Sequence, residues 1–137
     1  MKKSKLYQTI QYTLVVLVTA VLLGFSSSCS NDDDDDAPAR QSHKVVFKAT
    51  ASAGSNIDVA VYGYDSTITT ASSLSGTTWT SPEITTPAGA VNVNVGVNAT
   101  GSSSSSTLKV QIYVDGELKK EGTSSGQVLS ASANYTF

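Results

Sequence analysis

The chain has 137 residues, with nine Lys/Arg against eleven Asp/Glu, one His and one Cys, for a formal net charge of −2. That length holds one domain and no second core. The charge balance is too far from basic to follow a phosphate backbone, so no nucleic-acid partner is expected. A single cysteine excludes a disulfide framework and a Cys-based zinc cage. One histidine leaves little for general-base or metal chemistry, and no cofactor is implied.

Residues 1–30 differ in composition from everything after them. Met1-Lys2-Lys3-Ser4-Lys5 is basic, and the thirteen residues from Thr13 to Phe25 (TLVVLVTAVLLGF) are strongly apolar. A secretory h-region has this length, whereas a spanning helix needs about 20 residues. The lysines stay cytoplasmic while the apolar segment enters the membrane. Ser26-Ser27-Ser28 and then Cys29, the one thiol, follow. The segment resembles a bacterial lipoprotein signal, which implies cleavage before Cys29, a diacylglyceryl group on its sulfur and an acylated (palmitate-type) amine. Ser26 departs from that pattern, which usually has an aliphatic residue three positions before the Cys. Two other fates compete. Counted from Tyr7, the apolar stretch reaches nineteen residues and could stay as an uncleaved anchor, diluted by Gln8, Thr9, Gln11, Tyr12 and Thr13. Small residues near Ser28 also suit ordinary cleavage and release.

Ser30, Asn31 and Asp32, Asp33, Asp34, Asp35 and Asp36 come next. This resembles the acidic export signal of Bacteroidota-type surface lipoproteins, which implies an outer-membrane, cell-surface address. As plain physical chemistry the run is a self-repelling solvated tether, stiffened at its end by Ala37-Pro38-Ala39. Calcium capture fits poorly, since a polyaspartate lacks the Gly-directed turn and spaced ligands of a calcium loop. The boundaries are therefore a signal peptide over 1–28, a lipidated Cys and acidic tether over 29–42, and a folded domain over 43–137.

Within that domain, alternation of period 2 predicts strands and no helix. Val45-Phe47-Ala49 and Ile57-Val59-Val61 each place their members on one face. Val91, Val93, Val95 and Val97 alternate with Asn92, Asn94, Gly96 and Asn98; a helix would scatter those valines around its circumference. Leu108-Val110-Ile112-Val114 and Leu129-Ala131-Ala133-Tyr135-Phe137 repeat the pattern. Ala53-Gly54-Ser55-Asn56 and Asp115-Gly116 are turn signals, the second of hairpin type. Pro82 and Pro87-Ala-Gly89 confine any strand near Glu83-Ile84 to a short or edge position. Gly101 and Ser102–Ser106 read as a flexible, low-complexity loop. Seven or eight short strands with one apolar face each describe an all-β, single antiparallel β-sandwich, immunoglobulin-like in kind.

The segment from Leu108 to Gly126, with Lys109, Ile112-Tyr113-Val114-Asp115-Gly116 and Thr123-Ser-Ser-Gly126, followed by Ser130-Ala-Ser132, carries a second resemblance. Together with Val59-Ala-Val-Tyr62 and Trp79, it is similar to the mycobacterial membrane protein small family and related Bacteroidota lipoproteins. The resemblance implies a tethered sandwich outside the cytoplasm and, in some members, an accessory role beside an envelope transporter. The mycobacterial members use a transmembrane anchor where this chain offers Cys29.

Chemistry-bearing residues are few. A serine nucleophile needs a base held against it, and His43 has no acid downstream in sequence until Asp58. Asp58, Asp65, Glu83, Asp115, Glu117 and Glu121 could supply paired carboxylates, but they read as turn and surface residues. A non-enzyme is expected. Tyr62, Tyr64, Trp79 and Tyr113 are the recognition material: exposed on one sheet, they would make a small carbohydrate-binding module for a surface polysaccharide, and turned inward they would be packing. Phe47, Tyr135 and Phe137 fall on apolar faces and read as core. Asp65-Ser66-Thr67 resembles the O-glycosylation motif of Bacteroidota envelope proteins, with Ser66 as acceptor.

Overall fold

The structure, a computed structural model, describes residues 40–137. Nine strands form there: β1 (Lys44–Ala51), β2 (Asn56–Tyr64), β3 (Thr67–Ala71), β4 (Thr78–Thr80), β5 (Ile84–Thr85), β6 (Asn92–Thr100), β7 (Thr107–Val114), β8 (Glu117–Ser125) and β9 (Val128–Thr136). One sheet runs β4-β1-β7-β8, with β5 also pairing β1; the other runs β3-β2-β6-β9, and every pairing is antiparallel. The domain is a two-layer sandwich.

The alternation pattern builds it directly. Val45, Phe47 and Ala49 from β1 meet Leu108, Val110, Ile112 and Val114 from β7 on the inner face of the first sheet. Val93, Val95 and Val97 from β6 and Leu129, Ala131 and Ala133 from β9 line the inner face of the second. At about 25 cal/mol per Å² of apolar surface removed from water, this interlayer holds the fold. The Asp115-Gly116 turn has positive φ at both residues (52° and 82°), the geometry that two-residue hairpins favour.

Ser81 stands between β4 and β5, where the chain leaves β1's edge; its Oγ accepts from Phe47 N at 2.9 Å and donates to the Pro82 carbonyl at 2.9 Å. Pro82 has no N–H to offer that edge, so the serine bridges the break between two short edge strands. Among the described residues no buried side-chain polar atom lacks a hydrogen-bond partner.

Four expectations are corrected. The pairing of β2 with β6 shifts register between Ile57 and Val59, leaving Asp58 as the extra residue of a bulge. Since side chains alternate with a period of 2, one extra residue reverses the facing of everything after it. Ile57 is buried, but Ala60 and Tyr62 replace Val59 and Val61 on the inner face, and Val61 is 38% exposed. Val91 lies before β6 begins and is 51% exposed, so three valines rather than four line the core there. Phe137 lies beyond β9 and is 37% exposed. Finally, the serine run is a hydrogen-bonded turn rather than a loose loop: Ser103 N donates to Ser106 Oγ at 3.0 Å, Ser106 N donates to the Ser103 carbonyl at 3.1 Å, and Ser106 is buried. Hydroxyls of adjacent serines satisfy the local backbone, as short polar side chains do in turns.

Candidate functional site

Cys29, Ser30, Asn31 and Asp32–Asp36 lie outside the described residues, so the anchor and the export run remain expectations from sequence. The first described segment, Arg40–His43, leads into β1, and the sandwich holds it in a defined way. His43 N donates to Thr86 Oγ1 at 3.0 Å, Thr86 N donates to the His43 carbonyl at 2.8 Å, and Ser42 Oγ donates to the Thr86 carbonyl at 2.7 Å. His43 Nδ1 donates to Asp115 Oδ2 at 2.7 Å, while Asp115 Oδ1 accepts from Lys44 N at 2.9 Å. The imidazole stacks on the Phe137 ring, with centroids 4.5 Å apart and planes within 8°. The hydrogen bond from His43 holds the Asp115 carboxyl below the ordinary carboxylate range, and the Lys44 N–H adds to it.

This cluster brings together residues that sequence order keeps apart. The acid missing downstream of His43 is supplied by the β7–β8 turn, because β7 pairs antiparallel with β1 and returns its last residues to β1's start. Hairpin chemistry identified the turn, but nothing in the sequence pairs β1 with β7. Among the described residues, no serine hydroxyl hydrogen-bonds the imidazole, and no group of three His, Cys, Asp or Glu side chains is placed to hold a metal ion. What the arrangement does chemically is to fasten the start of the domain to Thr86 just after β5, to the β7–β8 turn and to the ring of Phe137.

The four candidate aromatics separate. Tyr62, 5% exposed, is a core residue, with its ring 5.4 Å from Phe47 and 5.2 Å from Trp79 between centroids. Trp79, opposite Ala49 in β4, and Tyr64 are half-buried against the same core. The bulge at Asp58 is the cause, because it turns Tyr62 and Tyr64 from the outer face to the inner one. Tyr113 alone points outward, on the other sheet, with Lys48 Nζ 4.6 Å above its ring. No single aromatic platform forms from these residues, and Tyr62 is corrected from ligand-facing to packing. Ser66 is exposed at the tip of the β2–β3 turn. Its neighbour Asp65 has φ 46° and accepts from the N–H groups of Val91 and Asn92, both at 3.0 Å, which fixes the turn and leaves Ser66 outward.

No family model matches the chain, and no curated protein matches it.

Proposed function

We propose that this protein is a lipid-anchored, non-catalytic cell-envelope lipoprotein that displays its β-sandwich at the outer-membrane surface as a structural, adhesive or transport-accessory module. The carrying observation is the succession of a basic start, thirteen apolar-rich residues, Ser26–Ser28, Cys29 and then five consecutive aspartates. Each part has a physical role: the apolar stretch inserts, Cys29 receives the lipid, and the acidic run keeps its charge in water. The fixed start of the domain supports this reading, since a tethered module must pass any pull on its N-terminus into its sheets. The fastening of Ser42 and His43 to Thr86 and Asp115 provides that path. The alternative, a sugar-binding module using Tyr62, Tyr64, Trp79 and Tyr113, loses support because Tyr62 and Trp79 pack against one another inside.

Cys29→Ala tests the anchor. Each buried methylene of an acyl chain contributes about 0.8 kcal/mol, so two or three chains hold the protein firmly and none leaves it free. Metabolic labelling with an alkyne fatty acid should tag the wild type and not the variant. Equal labelling of both, or equal membrane partitioning after signal cleavage, would overturn the proposal.

A further inference from the structure

Nine glycines lie among the described residues, and eight have a local reason to be glycine. Gly54, Gly76, Gly89, Gly116 and Gly126 have φ between +79° and +127°. Gly63, Gly101 and Gly122 approach other backbone so closely that a Cβ would collide with a carbonyl. Gly96 has neither excuse: its φ is ordinary, and a Cβ there would meet nothing within 4 Å. It sits in the middle of β6, a central strand, where glycine weakens a sheet and offers nothing to pack. A strand glycine often marks a bulge, a bend or a close approach to the backbone, and the pairing of Gly96 with Val61 and Ser132 is regular, without a bulge there.

The space above Gly96 is a groove of about 500 Å³ on the outer face of the second sheet. Val61 of β2 and Ser132 of β9 flank Gly96 in register, and Asn94 and Asn134 face one another in the next row. The far wall is β8 of the other sheet, carrying Lys120 and Glu121. The wall reaches that position because Gly122 lets β8 close onto the Ser132 carbonyl, and because Ser130 N donates to Ser124 Oγ at 3.2 Å.

We propose that this groove binds a neutral oligosaccharide. The size lies within the ~300–1,000 Å³ of ligand sites. Among the described residues, neither the Asn94 nor the Asn134 amide makes an internal hydrogen bond, which leaves two donor–acceptor pairs facing the groove. An amide donates and accepts side by side, as vicinal hydroxyls require. Val61 and the bare backbone at Gly96 give a sugar ring's C–H face an apolar floor. Glu121 is already engaged by Gln111 Nε2 at 2.6 Å and by Lys109 Nζ at 3.9 Å, which leaves Lys120 as one cation at the rim, too few to select a polyanion. An added peptide strand would pair along the edges of β8 or β9 rather than lie over Gly96, which belongs to an interior strand. This proposal uses a different surface from the aromatic residues and does not depend on the anchor.

The test is calorimetric titration of the full chain in detergent micelles with maltohexaose, cellohexaose, xylohexaose and mannohexaose, and with a galacturonate hexamer as the charged comparator. At least one neutral hexaose is expected to bind. Gly96→Val should weaken it by about tenfold or more while melting no lower than wild type, since a β-branched side chain fills the groove and suits the strand. The double variant Asn94→Ala/Asn134→Ala should weaken binding similarly, and it decides the matter if Gly96→Val fails to fold. Absence of binding by every neutral hexaose, binding of the galacturonate hexamer alone, or equal affinity in the variants would overturn the proposal. So would concentration-dependent self-association abolished by Gly96→Val, which would make the groove a contact face for a second copy.

Discussion

His43 and Asp115, separated by 72 residues, are joined by a 2.7 Å Nδ1–Oδ2 hydrogen bond at the end of the sandwich where the chain enters β1. The bond and the Lys44 N–H lower the carboxyl's pKa in the folded state. A carboxylate with a depressed folded pKa stabilises the fold above its unfolded pKa, about 3.9, and loses that contribution as pH falls through the folded value. Asp115→Asn keeps the turn, since Asn also tolerates positive φ, and keeps an oxygen for Lys44 N. Thermal unfolding should therefore show the variant below wild type near neutral pH. The two should converge in acid, below the folded pKa. A gap that persists unchanged in acid would detach the effect from the carboxylate charge.

The inward turn of Tyr62 predicts a contrast between neighbours. Tyr62→Ala removes a ring held between Phe47 and Trp79 and is expected to cost about 3–5 kcal/mol, as large aromatic truncations in cores do. Val61→Thr, on the outer face, should change stability by less than about 0.5 kcal/mol. Trp79 is the sole tryptophan, so its emission reports the loss of the Tyr62 ring directly. Tolerance at Tyr62 with a large loss at Val61 would remove the bulge from β2.

That contrast also marks where sequence reasoning stops. In β6, β7 and β9 one face is apolar and the other polar, so Val93, Ile112 and Leu129 declare their direction from alternation alone. In β2 the stretch from Val59 to Tyr64 is apolar or neutral on both faces, and alternation cannot choose between Val59-Val61 and Ala60-Tyr62. The choice is made by Asp58. Its carboxylate accepts from Asn56 Nδ2 at 2.7 Å and Thr100 Oγ1 at 2.9 Å, holding the bulge outward through a contact 42 residues away. Gly96 was visible as a member of the polar row, but its importance was not. Its lack of any steric reason emerges only when eight other glycines can be compared in three dimensions.

The acidic run gives a prediction outside the described residues. Strand β1 begins at Lys44, so replacing Asp32–Asp36 by serine should leave the melting temperature unchanged. If the run is an export address, accessibility of the domain to an external protease in whole cells should fall sharply. Undiminished accessibility would reduce the five aspartates to a spacer.

Gly122 supplies the last expectation. Its missing Cβ would collide with the Ser132 carbonyl, which belongs to the facing sheet, and backbone cannot move aside as a flexible side chain can. Gly122→Ala should therefore force β8 away from β9, at a cost of about 1–3 kcal/mol, the range for overpacked sites. The contrast is Gly96→Ala, where the added methyl meets nothing and the backbone loses freedom only in the unfolded chain. That substitution should be neutral or stabilise by up to about 1 kcal/mol. Chemical denaturation of the two variants beside wild type checks both signs. Because β8 carries Lys120 and Glu121 to the groove's rim, Gly122→Ala should also widen the groove. Loss of hexaose binding in Gly122→Ala, with Asn94 and Asn134 intact, would place the meeting of the two sheets among the determinants of the site.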